Sequence, residues 1–187
     1  PVEHLAFEEV KYWDEFVNIT NEARNSCAST LGLCWAGFAL AYLAGVNKTV
    51  FDKKLFGVFP LKSLAPGHPL MGTQDDEFIC PQSRFAGLPD LEMEEAQKEG
   101  KLNLLAYGKD VGYTIFETKD QKQLMHLGHP EYTVHRIISE INRDKEKGDV
   151  PPPENFDINS SNTSWRSHRN LLFQQWLWFC YQQVSLS

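Results

Sequence analysis

Cys34 follows the short β-prone run Thr30-Leu31-Gly32-Leu33 and precedes small, helix-compatible residues (Ala36, Ala39, Leu40, Ala41, Leu43) that reach Gly45. The pattern predicts a strand, a sharp turn and a helix, with Gly45 as its C-cap. Backbone strain at such a turn exposes a nucleophile. The N–H groups that open the helix stabilise a thiolate and an oxyanion. Cysteine is also among the most buried residue types, so Cys34 alone fits a structural thiol at least as well.

A second candidate lies far along the chain. His129 sits between a strand end and a proline in Gly128-His129-Pro130-Glu131-Tyr132. In an extended segment positions i and i+2 point the same way, so Glu131 is placed to orient the imidazole and stabilise its charged form. Each has a plainer reading, as a turn histidine and a solvated glutamate. Together with a cysteine at an elbow they make a candidate Cys-His-Glu triad for covalent catalysis.

The elements that must position these residues read as follows. Residues 7–19 carry apolar side chains three and four apart (Phe7, Val10, Trp13, Phe16, Val17) and predict an amphipathic helix, ended by a polar break at 21–29. Residues 48–62 read as loop and short strands. Residues 64–90, rich in Pro, Gly and Asp, read as mostly irregular. Strands are expected at 102–107, 113–117 and 123–127. A helix follows over 134–147 with Ile137, Ile138 and Ile141 on one face, stopped by three prolines at 151–153. A last helix over 168–182 turns Leu171, Leu172, Trp176, Leu177 and Phe179 inward. Strands alternating with helices predict an α/β fold with a largely parallel sheet.

Bulk properties narrow the function. A formal net charge of −7 without a basic stripe argues against nucleic acid and anionic membranes as partners. No apolar run approaches the roughly 20 residues of a membrane span. The four cysteines (27, 34, 80, 180) form no CxxC pair and have no zinc-finger spacing, so no metal is expected. Cys80 and Cys180 read as small core hydrophobes and Cys27 as a loop or helix-end thiol, which suits a reducing cytoplasm.

With these residues in place, the chain resembles the homoserine O-acyltransferase (homoserine trans-succinylase) family, whose core is similar to class I glutamine amidotransferases. The likeness runs through nearly all of the 187 residues. It rests on Phe7-Glu8-Glu9-Val10-Lys11-Tyr12-Trp13, Leu33-Cys34-Trp35-Ala36, Gly128-His129-Pro130-Glu131-Tyr132 and Trp165-Arg166-Ser167-His168-Arg169-Asn170-Leu171-Leu172-Phe173. The resemblance implies a three-layer, glutamine amidotransferase-like (flavodoxin-like) fold and a single acyltransferase domain over 1–187. It implies that Cys34 takes an acyl group from acyl-CoA as a thioester. The Trp35 N–H would belong to the oxyanion hole, helped by the loop around Pro1-Val2. His129 would remove the acceptor's proton and Glu131 would orient it. Lys54 and Ser83 match positions that bind the amino-acid substrate, and Arg143 matches an arginine that grips its carboxylate. Glu3 matches a position that tends to be glutamate in acetyl-transferring members and glycine in succinyl-transferring ones. A second carboxylate beside a succinyl group repels it, so Glu3 favours acetyl-CoA over succinyl-CoA.

The implied reaction is acetyl transfer to the hydroxyl of L-homoserine, with acyl-CoA as co-substrate, no further cofactor, a homodimer and a cytoplasmic location. Three departures qualify the acceptor. The glutamine usual after the cysteine is missing, Pro60-Leu61-Lys62 replaces an acidic residue and histidine, and Pro81-Gln82-Ser83 replaces Pro-His-Ser. L-Serine, one methylene shorter, is the runner-up acceptor. A glutamine-hydrolysing amidotransferase and a non-catalytic scaffold are further alternatives; the Trp165 segment speaks against the first and the retained triad against the second. The family also carries a segment before position 1, so the chain is expected to be the C-terminal part of a longer one, without the early strands.

Overall fold

The computed structural model describes residues 2–145, 151–160 and 162–185. Among them, β1 (Thr30–Leu33) pairs in parallel with β6 (Gln123–His126), Leu33 standing opposite His126. β6 pairs antiparallel with β5 (Gly112–Thr118), and β5 antiparallel with β4 (Leu102–Gly108). β4 touches the end of β2 (Thr49–Ser63), which pairs along its length with β3 (Glu77–Gly87). The sheet order is β1-β6-β5-β4-β2-β3.

The α/β class and the three layers are as expected; the largely parallel sheet is not. Only β1–β6 is a parallel pair among the described strands. Three residues, 109–111, join β4 to β5, and four, 119–122, join β5 to β6. Connections that short force antiparallel neighbours, because a parallel crossover needs a dozen residues or more.

Strand alternation sends side chains to two cores. One face of the sheet offers Leu102, Leu104, Phe116 and Met125 to α1 (Trp13–Ser26), α2 (Trp35–Leu43) and α3 (Asp90–Lys98). The other offers Phe59, Leu61, Leu105, Ile115 and Leu124 to α5 (Arg166–Ser185), through Phe179 and Trp176. A third cluster joins Phe56, Val58 and Trp165 to α4 (Val134–Lys145) through Ile137 and Ile141.

Several expected boundaries move. Residues 7–9 form a single 3-10 turn ahead of α1, and the helix runs through the predicted polar break to Ser26, where Arg24 is tethered to Asp120 and Gln123. The stretch read as loop and short strands is one long strand, β2, and the one read as mostly irregular holds β3. Pro81 sits in β3, an edge strand, where a missing N–H is tolerated. α3 gave no usable pattern, since it buries only Met93 and Ala96. On α5, Leu172 and Phe179 are buried as expected, whereas Leu177 faces solvent. Residues 146 and 147 of the helix expected over 134–147 lie outside the described residues.

Candidate active site

The turn at Cys34 is the strained elbow its sequence predicts. Its backbone stands at φ 49° and ψ −114°, a conformation that a residue with a side chain rarely adopts. The Cys34 N–H donates to the His126 carbonyl at 2.8 Å, and the Cys34 carbonyl accepts the Phe38 N–H. Gly32 makes the tight turn possible: a Cβ there would lie 2.8 Å from Leu40 Cδ1 and 3.0 Å from the Ala36 backbone. Trp35 is the first residue of α2, so its N–H is among those that a helix leaves without an internal partner. Its indole is gripped by Phe7, Tyr12 and Phe16, with ring centroids 5.2–6.0 Å away. The aromatic segment near the start of the chain thus braces the helix that carries the elbow. Val2 packs partly buried against the same core, and Pro1 lies outside the described residues.

His129 is delivered by the loop after β6. Its N–H donates to the Pro81 carbonyl at 2.8 Å. Gly128 lets the loop press close to β3, since a Cβ there would sit 2.4 Å from Gln82 Nε2. His129 Nδ1 lies 2.7 Å from Glu131 Oε1, which leaves Nε2 for the sulfur. Burial alone would lower the His129 pKa. Hydrogen bonding to Cys34 and Glu131, and their negative charge, outweigh it and raise the value to about 9. The ring also stacks on Tyr132, with centroids 4.2 Å apart. Trp165 holds that stack from below by donating its indole N–H to the Tyr132 carbonyl at 2.7 Å. The structure therefore brings Cys34, His129 and Glu131 together.

Lys54, Ser83 and Arg143 also meet, but around two carboxylates that sequence reasoning missed. Lys54, almost fully buried, lies 2.8 Å from Glu140 Oε1 and 2.6 Å from Asp144 Oδ2. The Ser83 hydroxyl donates to Glu140 Oε1 at 2.6 Å. Arg143 donates to Glu140 Oε1 at 2.8 Å and to Asp144 Oδ1 at 2.9 Å, with its side chain still nearly half exposed. Burial would raise the Glu140 pKa, but Lys54 and Ser83 hold it down at about 2. The Tyr132 hydroxyl adds a further hydrogen bond to the same carboxylate. A signal was present: Glu140 and Asp144 continue the inward stripe of Ile137 and Ile141 on α4, where a solvated charge has no place. The Ser83 carbonyl oxygen lies 4.0 Å from Cys34 Sγ, so this network adjoins the thiol.

Glu3 and Arg84 complete the neighbourhood. Glu3 is buried, and its Oε2 accepts the Phe85 N–H at 3.3 Å, while Oε1 has no partner among the described residues. Burial raises its pKa, against the pull of Phe85, Arg84 and His129. Arg84, 1% exposed, donates to Gln82, Ala86 and Val111 and makes no ion pair with a carboxylate among the described residues. Burial lowers it to about 10, while the charges of Cys34 and Glu3 oppose the shift.

The family model described as homoserine O-succinyltransferase matches residues 1–186. The chain belongs to the homoserine O-succinyltransferase family. It is 37% identical to a homoserine O-acetyltransferase of Bacillus subtilis and 38% identical to one of Bacteroides fragilis, over 98% of this chain and 62% of each relative. A homoserine O-succinyltransferase of Psychromonas ingrahamii is 36% identical over 99% of this chain and 62% of its own length. The chain thus spans about 62% of the length of these relatives. Among solved structures, a glutamine amidotransferase from Thermotoga maritima matches with a TM-score of 0.72 at 12% identity, over 94% of this chain and 73% of that one. One from Methylobacillus flagellatus gives 0.71 at 13%, over 92% and 71%. At those identities the likeness shows the fold alone, and it is the amidotransferase-like fold expected from the motifs.

Proposed function

We propose that this member of the homoserine O-succinyltransferase family carries an acyl group, acetyl in preference to succinyl, from acyl-CoA to the hydroxyl of L-homoserine through a thioester on Cys34. The step belongs to methionine biosynthesis. The observation that carries the reading is the strained Cys34 at a helix start, facing a His129 that Glu131 orients.

In the first half-reaction the Cys34 sulfur attacks the thioester carbonyl, and the Trp35 N–H steadies the oxyanion. Coenzyme A leaves as its thiol, taking the proton from His129. Acylation removes the charge and the hydrogen bond by which Cys34 raises the His129 pKa. The imidazole then becomes a base suited to the second half-reaction. It takes the proton of the acceptor hydroxyl, whose oxygen attacks the Cys34 thioester; the ester departs and the sulfur is restored.

Two charged groups support binding of the acceptor's ends. The Glu140 carboxylate, kept ionised by Lys54 and Ser83, suits an ammonium, and the half-exposed Arg143 guanidinium suits a carboxylate. Lys54 and Ser83 hold Glu140 for that contact, and Glu3 selects the acyl group. The relatives described above are named for homoserine, which favours it over L-serine as the acceptor. The 187 residues act as one acyltransferase domain, with acyl-CoA as co-substrate and no further cofactor. A cytoplasmic homodimer completes the reading. In support, no helix among the described residues is long and apolar enough to cross a membrane, and α5 exposes Leu177, Trp178 and Tyr181 for a second copy.

Incubation with acetyl-CoA followed by mass spectrometry tests the reading. An acetyl adduct on Cys34 that homoserine discharges faster than serine is the expected result. No adduct on a folded sample overturns it, and faster discharge by serine moves the acceptor.

A further inference from the structure

One buried histidine touches both halves of the site. His126 ends β6 and is 1% exposed. Its carbonyl oxygen accepts the Cys34 N–H at 2.8 Å, and its ring Nδ1 accepts the Gly128 N–H at 3.0 Å, one residue before His129. The tautomer follows. A ring nitrogen that accepts an N–H carries no proton, so the proton is on Nε2, which faces Cys80 Sγ at 3.8 Å. The Cys80 thiol donates in turn to the Pro81 carbonyl at 3.5 Å, and that same carbonyl accepts the His129 N–H. The ring thus closes a circuit through Cys80, Pro81, His129 and Gly128. Burial, with the charges of His129 and Arg84, pushes His126 down to about 3, so the ring stays neutral at ordinary pH and Nδ1 remains an acceptor.

We propose that the His126 side chain is a positioning residue for acyl transfer, fixing the Gly128-His129 loop at the spacing from Cys34 that proton transfer requires. The inference rests on the acyl-transfer reading above. A backbone bond alone would hold Cys34 whatever stood at 126; only the ring ties the base loop to the same residue. Without an acceptor at Nδ1, the Gly128 N–H loses its partner and the loop keeps only its bond to the Pro81 carbonyl and the Trp165 support, and misplacement by about 1 Å costs up to about 100-fold in rate.

The test compares His126→Leu, His126→Asn and His126→Gln in the whole protein. The Asn oxygen lies close to the position of Nδ1 and keeps the bond to Gly128. Leu offers no acceptor, and Gln reaches toward Cys80 instead. The expected result is a kcat lowered roughly 10- to 100-fold in His126→Leu and His126→Gln, with KM for acetyl-CoA and homoserine unchanged. Single-turnover acetylation of Cys34 should slow in parallel, and His126→Asn should recover most of the rate. Thermal unfolding of each variant separates loss of fold from loss of rate. Should His126→Leu not fold, the Asn and Gln pair decides: equal rates in the two, or a faster Gln variant, overturn the inference. Folded variants with wild-type kcat overturn it alone. A wild-type protein that forms no Cys34 adduct overturns the acyl-transfer reading and this inference with it.

Discussion

The Ser83 hydroxyl donates to Glu140 Oε1 at 2.6 Å, while the carbonyl oxygen of the same serine lies 4.0 Å from Cys34 Sγ. One residue of β3 therefore spans the sulfur proposed to carry the acyl group and the carboxylate proposed to anchor the acceptor. Ser83→Ala removes a hydrogen bond to a charged group, worth about 1.5–3 kcal/mol. The KM for homoserine should rise about tenfold or more, with the rate of Cys34 acetylation unchanged. Steady-state kinetics beside the single-turnover assay check the split; a slower acetylation step would place Ser83 in the first half-reaction instead.

Lys54 neutralises two buried carboxylates at once. Removing one partner of a buried ion pair strands the other, at about 3–5 kcal/mol. Lys54→Met leaves the half-exposed Arg143 as the cation shared by the two carboxylates, so it should lose stability in urea unfolding, but by less than that full figure. Adding Glu140→Gln and Asp144→Asn should recover much of it, because the stranded charges go too. A Lys54→Met protein as stable as the wild type would show the network to be solvated.

Two histidines should give stability opposite slopes against pH. His126 titrates at about 3 in the fold against an ordinary 6.5. Its contribution is complete above pH 6.5 and is lost as pH falls from there toward 3. His129 titrates at about 9, so its contribution is complete below pH 6.5 and is lost as pH rises toward 9. Each slope is at most about 1.4 kcal/mol per pH unit. Urea unfolding across pH should therefore show a maximum near 6.5. His126→Asn should flatten the acid limb and His129→Asn the alkaline one. Unchanged limbs would remove these two rings as the cause.

Glu3 places a buried carboxylate beside the site, with one oxygen unpartnered among the described residues. Glu3→Gly removes both the charge and the bulk that oppose a succinyl group. The ratio of kcat/KM for succinyl-CoA to that for acetyl-CoA should rise by about tenfold or more. A constant ratio would free Glu3 of any part in acyl choice.

The elbow and the base loop were legible because each is encoded locally. Strand, Cys34 and small-residue helix lie in one run, and Glu131 sits two residues from the histidine that it holds. The direction of the sheet was not legible in the same way. Strand periodicity says which face a residue takes and not which neighbour it pairs with; only the short links at 109–111 and 119–122 decide that. The full length of β2 and all of proline-bearing β3 hid for a related reason, since Lys54, Gln82, Ser83 and Arg84 look like loop residues until their buried partners are known. Glu140 and Asp144 were written into the inward face of α4, but a carboxylate there makes sense only with Lys54, which lies 86 residues from Glu140 in the chain.

The positive φ of Cys34 has a consequence for how such a chain can change. A non-glycine residue in that region costs of order 1–3 kcal/mol, which glycine would largely relieve. Position 34 is thus a place where mutational drift toward a sturdier chain and loss of its chemistry run in the same direction. On the acyl-transfer reading, selection for turnover is what would oppose that drift and hold a sulfur at position 34.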